Sequence, residues 1–193
     1  MLFCFVVSRA QKLQALKSTR THLGLCYVAD ALPLRGQCDS DWGVRHSTSG
    51  WQFTYSQAVI SWGSKKQTTV ALSSCEAEIM AGSEAAKEAL YLSAFLRELG
   101  HGSDEPVELG MDNQAAIAIS YNPEFHSRTK HIDRRHFFIR ECVENLQLRV
   151  PYVNTLDNMA DFFTKPLNSK NFFRMRDTIM NVSAQRRELT PSA

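Results

Sequence analysis

The segment Ser73-Ser-Cys-Glu-Ala-Glu-Ile-Met-Ala-Gly82 decides the architecture. Ser73 with Glu76 three residues later is a capping box. The serine oxygen accepts from an amide of the first turn, and the glutamate reaches back to the N-cap amide. Beyond it runs a stretch rich in Ala, Glu and Leu that ends at Leu99 and closes at Gly100. The spacing predicts one long helix over 73–99. With Glu76 occupied as a cap, Glu78 is left one turn inside with no structural task.

Reading outward, residues 35–39, 50–55 and 58–62 carry strand patterns, and 50–62 is a hairpin with a tight turn at Ser56-Gln57. On the C-terminal side, 107–111 is a short strand. Asp112-Asn113 caps a helix over 114–120, a second amphipathic helix covers 130–145, and 147–153 alternates as a strand. A last core helix over 157–164 stops at Pro166. Residues 1–20 have amphipathic helical spacing, and 25–28 are strand-like. The tail from Asn168 holds one more helix before a polar end. Strands that come first in hairpins and are later separated by helices predict an α/β fold, a mixed sheet with helices on its faces.

The 193 residues suffice for one domain with appended segments. A net charge of +2 is too mild to show nucleic-acid binding by itself. Five cysteines, an odd number without CxxC spacing, argue against a disulfide framework or a zinc site and for reduced thiols in a cytosolic or nuclear compartment. The apolar run 1–7 is far too short to span a bilayer and lacks the flanks of a signal peptide.

Four acidic residues stand at or near the ends of these elements: Asp39, Glu78, Asp112 and Asp161. Phosphodiester hydrolysis needs an activated water and a stabilised leaving oxygen, and two hard cations held by carboxylates supply both. Each acid has a rival. Asp41 shares a strand face with Asp39. Asp112 could cap the following helix, although Asn113 can do so instead. Asp157 reads as an N-cap, leaving Asp161 one turn inside. Any one acid alone is better explained as solvated or capping; the set carries the reading.

The densest positive run is Arg128, Lys130, His131, Arg134, Arg135, His136 and Arg140. A solvated face and phosphate contact are equally good readings of it. Lys65 and Lys66, placed in the turn before the long helix, are the next candidates for phosphate contact. Trp42, Trp51 and Trp62 read as core or edge packing.

Taken in order, Asp39-Ser-Asp-Trp42, Ile60-Ser-Trp62, Glu76-Ala-Glu78, Asp112-Asn-Gln114, Phe125-His-Ser-Arg-Thr-Lys-His-Ile-Asp133 and Ala160-Asp-Phe-Phe-Thr-Lys-Pro-Leu167 resemble the RNase H domain of copia-type (Pseudoviridae) retrotransposon Gag-Pol polyproteins. The resemblance covers about Leu34 to Leu167. It implies an RNase H-like fold, a five-stranded mixed sheet flanked by helices. It also implies a site in which Asp39, Glu78, Asp112 and Asp161 bind two Mg²⁺ ions, with Mn²⁺ as a substitute. The implied substrate is an RNA–DNA hybrid, and the basic residues Lys65, Lys66, Arg128, Lys130, Arg134 and Arg135 are the candidates for its phosphate contacts. The implied organisation is a helical connection from an upstream reverse transcriptase over 1–33, the RNase H-like domain over 34–167 and a C-terminal helix and tail over 168–193. The expected setting is cytoplasmic, within a virus-like particle, or nuclear, with no membrane partner.

Two departures stand out. The stretch between Trp42 and Ser47 is shorter than the family's usual loop, and Asn154-Thr-Leu-Asp-Asn158 lacks the histidine that cellular relatives often carry there. The rival functions are a catalytically decayed module that binds nucleic acid or acts as a scaffold, and an integrase-like nuclease core. The early-helix glutamate and the 160–167 ending argue against the latter.

Overall fold

The computed structural model describes residues 24–28, 32–43, 46–122 and 133–182, the side chains of 133–136 excepted. The expected helix over 1–20 lies outside these residues. The elements are β1 (Arg35–Asp41), β2 (Thr48–Tyr55), β3 (Ala58–Lys66), α1 (Ser74–Glu98), β4 (Val107–Gly110), α2 (Gln114–Tyr121), α3 (Asp133–Glu144), β5 (Leu148–Arg149), a 3-10 turn (Thr155–Asp157), α4 (Asp161–Thr164) and α5 (Ser169–Ile179). They form one five-stranded sheet in the order β3-β2-β1-β4-β5. The β1–β2 and β2–β3 pairs are antiparallel, and the β1–β4 and β4–β5 pairs are parallel. Parallel neighbours need crossovers; α1 lies between β3 and β4 in the chain, and α2 and α3 between β4 and β5. The expected α/β mixed sheet is therefore the observed one.

Local chemistry accounts for the junctions. Ser56 and Gln57 both have positive φ, 50° and 68°, as the two central residues of a tight hairpin turn must. Ser73 Oγ accepts from Glu76 N at 3.1 Å. The reciprocal bond falls one residue earlier than expected, since Glu76 Oε2 accepts from Leu72 N at 2.6 Å. Gly100 ends α1 at φ 78°, and His101 N donates to Leu96 O at 2.8 Å, satisfying a carbonyl of the last turn.

Several boundaries differ from expectation. Residues 25–28 form no strand; Cys26 N and Val28 N instead donate to Met180 O and Ser56 O. β3 runs on to Lys66, so Lys65 and Lys66 lie in a strand rather than in a turn. The last core helix is only Asp161–Thr164. Before it, Asn154 caps a 3-10 turn at Leu156 N, and Asp157 is exposed and pairs with Arg174 at 3.4 Å rather than capping a helix. Asp161 is thus the first residue of α4, not one turn inside. Strand 147–153 shrinks to Leu148–Arg149 with a separate Met111–Tyr152 bridge, because Pro151 has no amide hydrogen to give the ladder.

Alternation along β1 assigns its faces. Cys38 belongs to the larger core with Phe53, Ile79, Leu109 and Met111, under α1. Gln37 and Asp39 point the other way and meet residues 157–164. There Val59, Phe162, Phe163, Phe172, Met175 and Ile179 build a second core that holds α5 against the hairpin. The described cysteines Cys26, Cys38, Cys75 and Cys142 are all free thiols. No described helix is long and apolar enough to cross a membrane.

Candidate active site

Three carboxylates converge where β1, β4 and α4 meet. Asp39, Asp112 and Asp161 each offer one oxygen, and these oxygens lie within 4.8 Å of one another. Asp39 and Asp161 are buried and Asp112 is half-buried. Asn113 caps α2 by accepting from Ala116 N at 3.1 Å, so Asp112 is not needed as the cap. Asp41 is exposed at the end of β1 and is not one of the three converging acids.

Glu78 reaches the same region from the opposite side. Ser40, the neighbour of Asp39, faces α1, and both its amide and its hydroxyl donate to Glu78 Oε1, at 2.8 and 2.9 Å. Glu78 Oε2 is buried and has no hydrogen-bond partner. Glu78 is not among the three acids within 4.8 Å, but it is close enough to Asp39 and Asp112 to repel both. β1 therefore presents adjacent residues to two halves of one acidic site.

Burial and crowding shift the titrations. Asp39 is pushed up to about 7, first by burial and then by the Asp161 charge, against the opposing pull of the Thr164 hydroxyl and Lys165. Glu78 is pushed up to about 8 by burial and by Asp39, although the two Ser40 hydrogen bonds favour its charged form.

The sequence reading singled out none of the groups that hold this cluster in place. Thr164 Oγ1 donates a short hydrogen bond to Asp39 Oδ2. Lys165 Nζ lies 2.8 Å from Asp161 Oδ1 and 4.0 Å from Asp39 Oδ2. Burial lowers the Lys165 titration, but its contacts with Asp161 and Asp39 outweigh this and leave it raised. Asn158, fully buried, donates to Cys38 O at 3.0 Å and accepts from Ala160 N at 3.1 Å, tying the start of α4 to β1. Gln37 Oε1 accepts from Met159 N at 2.7 Å. One signal was present in the sequence: Lys165 stands four residues after Asp161, the spacing of an intrahelical ion pair.

The donor set fits hard divalent cations. It is all oxygen, mostly carboxylate, and carries more negative charge than one lysine neutralises. The unpartnered Glu78 Oε2 is an additional free acceptor beside it.

The other candidates are placed as follows. Lys65 and Lys66 line a small open recess with Ser49, Gln67, Thr68 and Glu84. Lys65 pairs with Glu84 at 3.2 Å, while Lys66 is exposed. Ser49 pairs with Ser40 across β1 and β2, so the recess lies one strand away from the Glu78 anchor. Arg128 and Lys130 lie outside the described residues. Arg134 and Arg135 lie in the first turn of α3, their side chains outside the description. Trp42 is 55% exposed, so it is not core; its indole nitrogen donates to Ala71 O at 3.2 Å.

A mixed sheet in the order β3-β2-β1-β4-β5, with acids on β1, on α1, after β4 and at the start of α4, defines an RNase H-like domain. The crystal structure of LC11-RNase H1 in complex with RNA/DNA hybrid superimposes with a TM-score of 0.54 at 13% identity, covering 68% of this chain and 94% of that one. In sequence, the chain is 42% identical over 152 residues to the retrovirus-related Pol polyprotein from transposon TNT 1-94 of Nicotiana tabacum. It is 37% identical over 164 residues to that from transposon RE1 of Arabidopsis thaliana. These matches cover 77% and 83% of this chain and 11% of each polyprotein. No family model matches. The chain belongs to the retrovirus-related Pol polyproteins of copia-type transposons and spans about a tenth of the length of those relatives.

Proposed function

We propose that this chain is the ribonuclease H of its polyprotein and hydrolyses the RNA strand of RNA–DNA hybrids during reverse transcription. The observation that carries the reading is the convergence of Asp39, Asp112 and Asp161 within 4.8 Å on an RNase H-like sheet. These three and Glu78 would hold two Mg²⁺ ions, for which Mn²⁺ can substitute. Such ions, when bound by these four residues, would supply the activation of a water and the charge stabilisation of the leaving 3′ oxygen, and the products would carry 5′-phosphate and 3′-hydroxyl ends.

The chain's own groups keep the ligands ready. Thr164 orients Asp39, Ser40 orients Glu78, and Asn158 holds α4 on β1 so that Asp161 faces Asp39. Lys65, Lys66, Arg128, Lys130, Arg134 and Arg135 would contact phosphates along the duplex. Selectivity for the hybrid would come from 2′-hydroxyls and minor-groove shape. That a solved RNase H1 of this fold is in complex with an RNA/DNA hybrid supports this substrate class. Residues 34–167 would form the nuclease unit, 168–193 its C-terminal helix and tail, and 1–33 the connection to a reverse transcriptase of the same polyprotein. The setting would be a cytoplasmic virus-like particle or the nucleus.

The test is incubation of the purified chain with a labelled hybrid in Mg²⁺ or EDTA, beside Asp112→Asn. Cutting of RNA alone, in Mg²⁺ alone and only by the unmutated chain is the expected result. Near-normal cutting by Asp112→Asn would sink the site assignment. Hybrid binding in EDTA with no cutting in Mg²⁺ would assign the chain to the scaffold class.

A further inference from the structure

Three carboxylates within 4.8 Å, with Glu78 repelling from the α1 side, are an unfavourable arrangement unless a cation stands among them. One does. Lys165 follows α4 immediately and leads into Pro166. Its backbone N donates to Asp161 O at 3.3 Å, which brings the base of its side chain to the mouth of the cluster. Its ammonium sits 2.8 Å from Asp161 Oδ1 and 4.0 Å from Asp39 Oδ2, so it bridges the two buried acids of the three-carboxylate cluster. The side chain is about one-third exposed, so it can swing outward without unpacking either core. Thr164, its neighbour, is by contrast fully buried and committed to Asp39.

We infer that Lys165 is a resident counter-ion of the acidic site, which holds Asp39 and Asp161 together when no metal is bound and is displaced from Asp161 when a divalent cation takes that oxygen. The two cations compete for one acceptor. With Lys165 Nζ 2.8 Å from Asp161 Oδ1, a divalent cation on that oxygen would stand within a few ångströms of the ammonium, and the two like charges would repel. Lys165 therefore sets a threshold: it stabilises the empty site and weakens metal affinity. This inference rests on the metal-centre reading of the site given above, but its test needs no nucleic acid and no turnover.

The experiment uses the full chain and two neutral variants, Lys165→Met and Lys165→Gln, with Lys165→Arg retaining the charge. Far-UV circular dichroism establishes that each folds. Thermal unfolding is measured in EDTA, and MnCl₂ binding by isothermal titration calorimetry, at one fixed pH. The neutral variants are expected to melt several degrees lower in EDTA and to bind Mn²⁺ on the order of tenfold more tightly. Their melting temperature should therefore rise more on adding Mn²⁺ than that of the unmutated chain. Lys165→Arg should melt in EDTA like the unmutated chain. Unchanged melting and unchanged Mn²⁺ affinity in both neutral variants would overturn the inference while leaving the metal centre standing. Weaker Mn²⁺ binding would also overturn it, showing that Lys165 supports the metal rather than competing with it. Failure of every chain to bind Mn²⁺ would overturn the metal centre together with the exchange. A neutral variant that binds Mn²⁺ where the unmutated chain does not would support the exchange directly.

Discussion

Thr164 stands on Gly50: a β-carbon built on Gly50 would lie 2.5 Å from Thr164 Cγ2 and 3.1 Å from Ala160 O. Gly50 is also the residue directly opposite Asp39 in the β1–β2 ladder. The missing side chain lets α4 settle onto β2, and that contact brings the Thr164 hydroxyl and Asp161 to Asp39. Gly50→Ala must therefore push α4 off the sheet. We expect a loss of about 1–3 kcal/mol of stability, typical of overpacking, and a fall in hybrid cleavage larger than the stability loss explains. Urea unfolding beside a cleavage assay measures both. A variant as stable and as active as the parent would show that α4 does not need this close approach.

Asn158 is the second clamp on the same segment. Asn158→Leu leaves Cys38 O and Ala160 N without their side-chain partner. The expected destabilisation is about 1–3 kcal/mol for each buried group left unpaired, read from urea midpoints. Asp161 should lose its place relative to Asp39, so Mn²⁺ affinity measured by calorimetry should fall as well. Retained affinity in a destabilised variant would confine Asn158 to a folding role.

Glu78→Gln separates charge from shape. The amide oxygen can still accept from Ser40 N and Oγ, while the charge that burial and Asp39 disfavour is gone. Glu78 titrates at about 8. In EDTA the substitution should thus be nearly neutral at pH 6 and stabilising by about 1–3 kcal/mol at pH 9, where the parent must bury an ionised group. Metal-dependent cleavage should be lost at both values. Destabilisation at pH 9 would mean that the Glu78 charge is stabilised by something other than a metal.

The pH dependence of metal-free stability follows from the two raised acids. Asp39 moves from an ordinary 3.8 to about 7 and Glu78 from 4.5 to about 8. Between those limits the folded chain binds more protons than the unfolded chain, so stability falls as pH rises. In EDTA the unfolding midpoint should therefore decline from about pH 4 to about pH 8. A divalent cation prefers the deprotonated ligands, so saturating Mg²⁺ should flatten or reverse that slope, and its binding should release protons. Equal slopes with and without Mg²⁺ would show that the metal does not bind at these acids.

Local sequence chemistry determined a large part of this molecule. The strand–helix order follows from periodicity, the hairpin turn from Ser56-Gln57, the start of α1 from Ser73 with Glu76, and the release of Asp112 from the capping power of Asn113. Each of these is settled within four residues, the range over which backbone hydrogen bonding and side-chain period act. Only the tertiary structure decided the rest. Thr164 and Asp39 are 125 positions apart, as Asn158 and Cys38 are 120 apart, and no local pattern couples them. The choice of Asp39 over Asp41 depends on which one α4 covers. Ser40 became the anchor of Glu78 only because α1 folds over its face of β1. The site is made by surfaces meeting, and what each surface meets is fixed by packing, which acts between residues far apart in the chain.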